Sequence, residues 1–192
     1  MEYVILNGMN ENDSFLQEIN NSIENKFLKK GFQGESILLH EKDIKPCLGC
    51  FKCWIETPGI CVINDYGRET AKKMIQSDCM IYLCSIQYGG YSAELKKALD
   101  RALPLLSAFF RVFHEEIHHE QRYDKYPNMI VFGILDEPNE EQEKIFSELV
   151  KRNSLNNFAP KSACQIIYKS DEQQSILDKI QDGLSVLGDE NV

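Results

Sequence analysis

Short apolar runs alternate with stretches of helical periodicity from one end of this chain to the other, and that alternation leaves few architectures open. Residues 3–6, 37–40, 80–83, 129–132 and 163–168 read as five strands, four of them near-continuously apolar and the fifth more mixed. A strand that is apolar on both faces belongs in a sheet buried on both sides, which means parallel strands covered by helices. The helical periods fit that scheme. After Ser14, residues Leu16, Ile19, Ile23 and Phe27 recur at helical spacing, and Lys29-Lys30-Gly31 supplies a stop. Asn64-Asp65 caps a helix carrying Tyr66, Thr70 and Met74, and Ser92 caps one whose Leu95, Leu99, Leu103 and Leu106 form a stripe. A further helix follows Glu137-Pro138, and Ile176, Ile180, Leu184 and Leu187 mark the last. Residues 107–127 carry no clear period and read as an irregular excursion rich in aromatics and histidine.

Right-handed crossovers leave a handful of topologies for five such strands. The commonest is the three-layer flavodoxin-like α/β arrangement, a five-stranded parallel sheet of order 2-1-3-4-5 with helices on both faces. It brings the loops after the first and third strands to one crevice at the carboxyl edge, where sheets of this kind bind ligands. With 192 residues, no internal repeat and no Gly/Ser-rich linker, the whole of 1–192 is expected to form one domain with a full core.

The formal net charge of −9, with no basic block to offset it, argues against nucleic acid or an anionic membrane as partner. No apolar stretch reaches bilayer length, and Met1-Glu2-Tyr3 lacks the basic region of a secretory signal. Seven cysteines without such a signal fit a reducing, cytoplasmic setting, where thiols serve metal or redox chemistry more often than a disulfide framework.

Four of those cysteines, Cys47, Cys50, Cys53 and Cys61, fall within fifteen residues at the spacing C-x2-C-x2-C-x7-C. Gly49 leaves the backbone room to curl, and Thr57-Pro58-Gly59 is a turn that brings Cys61 back toward the other three. Thiolates at this density suit an iron–sulfur cluster or zinc. A reactive dithiol, or a surface loop that binds nothing, uses the same residues. Cys79, Cys84 and Cys164 sit in or beside strands and read as small core hydrophobes. His114 and His118 have a spacing that suits a metal on a helix, but polar side chains on an exposed excursion, His119 among them, more often bind nothing. The excursion is better read as a flap over a ligand or an arm packed on a second subunit, since Phe109, Phe110, Phe113 and Tyr123 need cover.

The loop after the third strand reads Ser85-Ile86-Gln87-Tyr88-Gly89-Gly90-Tyr91-Ser92. Paired glycines let the backbone lie flat against a planar ligand, Tyr88 or Tyr91 can stack on it, and Ser92 opens a helix whose N-terminus favours negative charge. Together, the C-x-G-C-x2-C-W…T-P-G-x-C loop and the G-x2-S-A-x-L-K-x3-D-R segment resemble the flavodoxin-fold NAD(P)H-dependent FMN reductase family, and within it the branch of iron–sulfur flavoproteins. The resemblance implies flavin contacts from Ser85, Ile86, Gln87, Tyr88, Gly89, Gly90 and Ser92. It also implies a [4Fe-4S] cluster on Cys47, Cys50, Cys53 and Cys61, and at least a homodimer.

The first loop departs from that family. Gly8-Met9-Asn10-Glu11-Asn12-Asp13-Ser14 is short, lacks the family's Arg and Thr, and holds two carboxylates where an FMN phosphate would sit. Asn10, Asn12, Ser14 and the free amides of the first helix are the donors left for the phosphate. The expected function is that of an FMN-dependent oxidoreductase taking electrons from a nicotinamide or a small redox protein. The alternative is a flavin-free metal–thiolate or redox-sensing protein, in which the cysteine loop alone is chemically active.

Overall fold

Strand β1 (Glu2–Asn7) is buried along all but its first residue, and it is the axis of the sheet. It runs parallel to β2 (Gln33–Leu38) on one side and to β3 (Cys79–Ser85) on the other. β3 then pairs in parallel with a strand at Asn128–Leu135, which pairs in parallel with one at Ser162–Tyr168. The structure is a computed structural model that describes residues 1–11, 13–113 and 115–188.

Helix α1 (Ser14–Lys29) covers one face, packing Leu16, Ile19, Ile23 and Phe27 on Tyr3, Ile5, Ile81 and Leu83. It starts where it does because Asp13 Oδ1 accepts from Leu16 N at 3.1 Å. The opposite face is closed by α3 (Tyr66–Gln76) and α4 (Ala93–Asp100), which follow the single helical turn α2 (Lys52–Ile55) of the cysteine loop. Helix α5 (Glu140–Asn156) joins them through Phe146 and Val150, and α6 (Gln173–Ser185) joins α1 through Ile180 and Leu184. Each fully buried side chain of this size contributes about 1.5–3 kcal/mol of transfer free energy.

The parallel sheet, its helices on both faces and the flavodoxin-like placement of β1 and β3 agree with the sequence reading. The chain order differs, because two extra strands intervene. Residues 107–127 are irregular only toward their end: Leu106–Phe113 and Glu116–Gln121 form an antiparallel hairpin, β4 and β5, making the last two sheet strands β6 and β7. The sheet order is therefore β2-β1-β3-β6-β7 rather than 2-1-3-4-5. The hairpin was illegible because it turns at Glu115, at φ +63°, with no glycine to mark it, and because both its faces are partly exposed.

Two boundaries also moved. β2 begins four residues before the apolar run at 37–40, which instead ends in a 3-10 turn at Leu39–Glu41. As an edge strand it tolerates Gln33, Glu35 and Ser36, so its apolar signal is confined to its last residues. The leucine stripe from Leu95 to Leu106 is not one helix: α4 ends at Asp100, and Leu103–Leu105 is a 3-10 turn around Pro104. Among the described residues, no helix is long and apolar enough to cross a membrane.

Candidate functional site

The loops leaving β1, β3 and β6 meet at the carboxyl edge of the sheet and enclose a crevice of about 450 Å³. Asn10, Ser85, Ile86 and Gln87 line it, so four of the sequence-selected residues are brought together there. Ser14 is exposed as the first residue of α1, and Asn12 lies outside the described residues. The sequence reading missed the other wall, formed by Asp136, Glu137, Asn139, Gln142 and Lys169. Nothing in those residue types marks a ligand; only the fold brings the ends of β6 and β7 to the same place.

The two loops are fixed by short-range hydrogen bonds. Asn7, fully buried, donates from Nδ2 to Asn20 Oδ1 and accepts from Met9 N at 3.0 Å, pinning the start of the first loop. Gly8 N donates to Leu83 O, and Ser92 Oγ donates to Gly8 O at 2.7 Å. Ser92 holds the N-cap position of α4, yet its hydroxyl ties α4 to the first loop instead of capping. Gln87 and Gly90 exchange two backbone hydrogen bonds, closing a tight turn in which Tyr88 and Gly89 have φ of +52° and +74°. Tyr88 projects from that turn, 97% exposed. Tyr91 is core, set edge-on against Tyr82 and Phe146 and bonded to Asn153, so of the two tyrosines only Tyr88 is free to stack on a ligand. Gly89 faces α5: a Cβ there would lie 2.6 Å from Ile145 Cγ2.

The crevice is acidic. Asp13, Asp136 and Glu137 line it against one cation, Lys169, and Asp136 binds that cation at 2.8 Å, which raises the lysine's pKa. Asp13 also occupies the Leu16 amide, one of the donors an anion would seek at the start of α1.

The cysteine loop lies beyond β2. Gly49 (φ +62°) and Phe51 (φ +55°) curl its first part, and Gly49 N donates to Cys47 Sγ. Gly59 N donates to Cys53 O at 3.0 Å, so the Thr57-Pro58-Gly59 turn does fold the Cys61 end back. All four thiols are free: Cys47 and Cys50 are exposed, Cys61 half-buried and Cys53 buried on α2. Burial pushes the Cys53 thiol up, and the nearby Cys61, Cys47 and Cys50 add to the shift. Even so, among the described residues no three His, Cys, Asp or Glu side chains already stand in metal-binding array.

Both stems of this loop converge on an ion pair that sequence reading passed over. Arg101 and Asp65, with side chains 0% and 1% exposed, are joined bidentately at 2.8 Å. Asp65 also accepts from Lys45 N and Gly67 N, and Arg101 donates to Lys45 O and Ile63 O. Burial alone would push the Asp65 carboxyl up, but bonds from Arg101, Lys45 N and Gly67 N outweigh it and hold the pKa below 3.8. Trp54 then fixes the middle of the loop, donating to Leu103 O and lying 4.8 Å from the His119 ring on β5. His118 is held by Asn156 and Glu116, and His114 lies outside the described residues. Burial pushes Cys79 and Cys84 up to about 12 and Cys164 to about 11, as core thiols.

A flavodoxin-like α/β domain with a ligand crevice on its carboxyl edge and a thiol-rich loop beside it is the class that fold and site define. The sequence profile of the NADPH-dependent FMN reductase family matches residues 1–116, more than half of the chain, and the protein belongs to that family. An iron–sulfur flavoprotein of Methanocaldococcus jannaschii is 39% identical over 85 residues, 44% of this chain and 43% of that one. One from Methanosarcina thermophila is 30% identical over 77 residues, 40% of this chain and 39% of that one. The chain thus spans less than half the length of these curated relatives. Among solved structures, an NAD(P)H:quinone oxidoreductase from Methanothermobacter marburgensis superposes with a TM-score of 0.72 at 14% identity, covering 100% of this chain and 99% of that one.

The buried pair should control the loop. Asp65→Asn or Arg101→Met alone is expected to cost about 3–5 kcal/mol in urea unfolding, because each strands a buried partner, while the double variant recovers most of the loss. The Asp65 pKa is depressed on folding, so its contribution is complete above about pH 4 and drains away as pH falls below that value. Asp65→Asn should flatten that acid limb. Single-variant losses below about 1 kcal/mol would show that the stems are held by something else.

Proposed function

We propose that the protein is an FMN-dependent oxidoreductase that takes electrons from a nicotinamide or a small redox protein. The observation that carries this reading is the family match over residues 1–116, the stretch that contains two of the loops lining the crevice, those after β1 and β3. A bound flavin would supply two-electron acceptance and one- or two-electron donation. The ring end of the crevice fits it: Ile86 offers an apolar wall, Gln87 and Gly90 a turn of backbone, and Tyr88 a free aromatic face. The phosphate end fits poorly, since Asp13 fills the helix amide and Lys169 is already paired.

Replacing Glu11 and Asp13 by Gln and Asn is therefore expected to tighten FMN by about tenfold in a fluorescence-quenching titration. Asn keeps the cap of α1, so the helix start survives the change. Unchanged affinity in that double variant would put the phosphate elsewhere. No FMN binding in either protein would favour the flavin-free thiol reading, which the acidic first loop supports.

On the cysteine loop, we propose that Cys47, Cys50, Cys53 and Cys61 hold a [4Fe-4S] cluster, a one-electron carrier. Four free thiols on one loop are a suitable donor set, with Cys61, Cys47 and Cys50 all near enough to Cys53 to raise its pKa. Zinc suits the set less well, because its structural sites use C-x2-C pairs set further apart. Anaerobic reconstitution should give about four iron and four sulfide per chain, and Cys50→Ser should lower both. Near-zero iron in the intact chain, or iron unmoved by Cys50→Ser, refutes the cluster and leaves a redox-active thiol loop.

The hairpin is proposed to pack on a second copy of the chain. Phe109, Phe110, Val112 and Ile117 are each more than 60% exposed, more apolar surface than an isolated arm carries comfortably. Sedimentation at micromolar concentration should give a dimer or larger, and Val112→Glu with Ile117→Glu should shift it to monomer. A wild-type monomer removes this reading.

A further inference from the structure

A second cleft, of about 690 Å³, lies against the end of the cysteine loop and shares no lining residue with the crevice. Ala71 and Ile75 of α3, with Pro104 and Leu105 of the turn after α4, give it apolar walls. Ile60 and Cys61 of the cysteine loop close one end. None of residues 85–90 reaches it.

Its rim is cationic on a chain whose formal net charge is −9. Arg68, Lys72, Arg101 and Lys125 line it against one carboxylate, Glu69. Lys125 is paired with Asp78, and Arg101 with Asp65. The other two cations have no carboxylate partner among the described residues. Arg68 gives three of its five N–H groups to neutral oxygens, those of Cys61, Val62 and Asn64, and Lys72 is exposed and makes no ion pair there. Arg101 adds an independent sign. Its side chain is fully buried, yet Nε finds no hydrogen-bond acceptor among the described residues, although the Cys61 thiol lies near the guanidinium. A buried N–H without an acceptor costs on the order of 1–3 kcal/mol unless something supplies one.

We propose that this cleft binds a small anion with an aromatic or otherwise apolar body, seated against Cys61. The apolar walls take the body, and Lys72 and Arg68 take the charge. The volume falls within the range of small-molecule sites, roughly 300–1,000 Å³. Such a ligand touches the cysteine loop without entering the crevice, so the proposal stands whether or not FMN binds.

The test is calorimetric titration of the flavin-free full chain with naphthalene-2-sulfonate, which does not react with thiols. Naphthalene-2-methanol and inorganic sulfate serve as the uncharged and the body-less comparators. Naphthalene-2-sulfonate should bind, the alcohol about tenfold more weakly, and sulfate not measurably. Lys72→Glu, at an exposed position that leaves the fold alone, should weaken the sulfonate about tenfold and leave the alcohol unchanged. Ile75→Trp should remove both by filling the cleft, and Lys144→Glu on α5 should change neither. Sulfonate binding within twofold of wild type in Lys72→Glu overturns the proposal, as does an alcohol that binds as tightly as the sulfonate. FMN titration of the same variants reads the crevice separately, so failure at one site is not mistaken for failure at the other.

Discussion

The Asp65–Arg101 pair is the constraint on which the thiol side of the molecule depends. Sequence places the two residues far apart, one capping α3 and the other ending α4, and the fold brings them together where water cannot reach. A buried pair is a poor source of net stability, because desolvating both charges offsets most of their attraction. Its value here is specificity. Asp65 and Arg101 between them hold both backbone groups of Lys45 and the carbonyl of Ile63, so the entry and exit of the cysteine loop are fixed to two helices at once. Arg68 extends the clamp to the carbonyls of Cys61 and Val62. The entry, the exit and Trp54 in the middle are held, while Cys47 and Cys50 are exposed to solvent. That division suits a site whose ligands must close on an inorganic group, since supporting contacts orient the ligands that touch it.

The crevice shows the opposite economy. Its backbone is tightly set by Asn7, Ser92 and the Gln87–Gly90 turn, but its charge is wrong for a dianion at one end. Asp13 makes a good helix cap and, by doing so, removes an anion donor. A single residue therefore trades stability of α1 against affinity for phosphate, which is why the two ends of the crevice fit a flavin so differently.

How much of this was legible in the sequence follows from the kind of signal each feature leaves. β1, β3 and β6 are central, apolar on both faces, and were found from composition alone. β2 was misplaced because an edge strand buries only part of itself, and β4 and β5 were missed because no turn residue announces Glu115 and no face is wholly dry. The cysteine spacing marked its loop at once, and the turn at Thr57-Pro58-Gly59 folds as its residues dictate. What holds that loop was invisible. Asp65 looked like an ordinary cap and Arg101 like the end of a motif, and nothing short of the fold shows that they meet. The far wall of the crevice was hidden for the same reason, since Asp136, Asn139 and Lys169 are ordinary loop residues until β6 and β7 deliver them to one edge.

The seven thiols sort themselves by environment. Cys79, Cys84 and Cys164 are packed in or beside the sheet, and burial holds their thiols in the protonated form at neutral pH. They pack as hydrophobes and leave thiol chemistry to the loop. There the gradient runs from exposed Cys47 and Cys50, through half-buried Cys61, to buried Cys53, whose thiol is pushed up by burial and by its three neighbours. Burial and those neighbours keep the Cys53 sulfur protonated, and a bound soft cation is what would favour its thiolate. Exposure therefore divides the loop's thiols: Cys47 and Cys50 are open to solvent, and Cys53 is the one whose thiolate burial opposes.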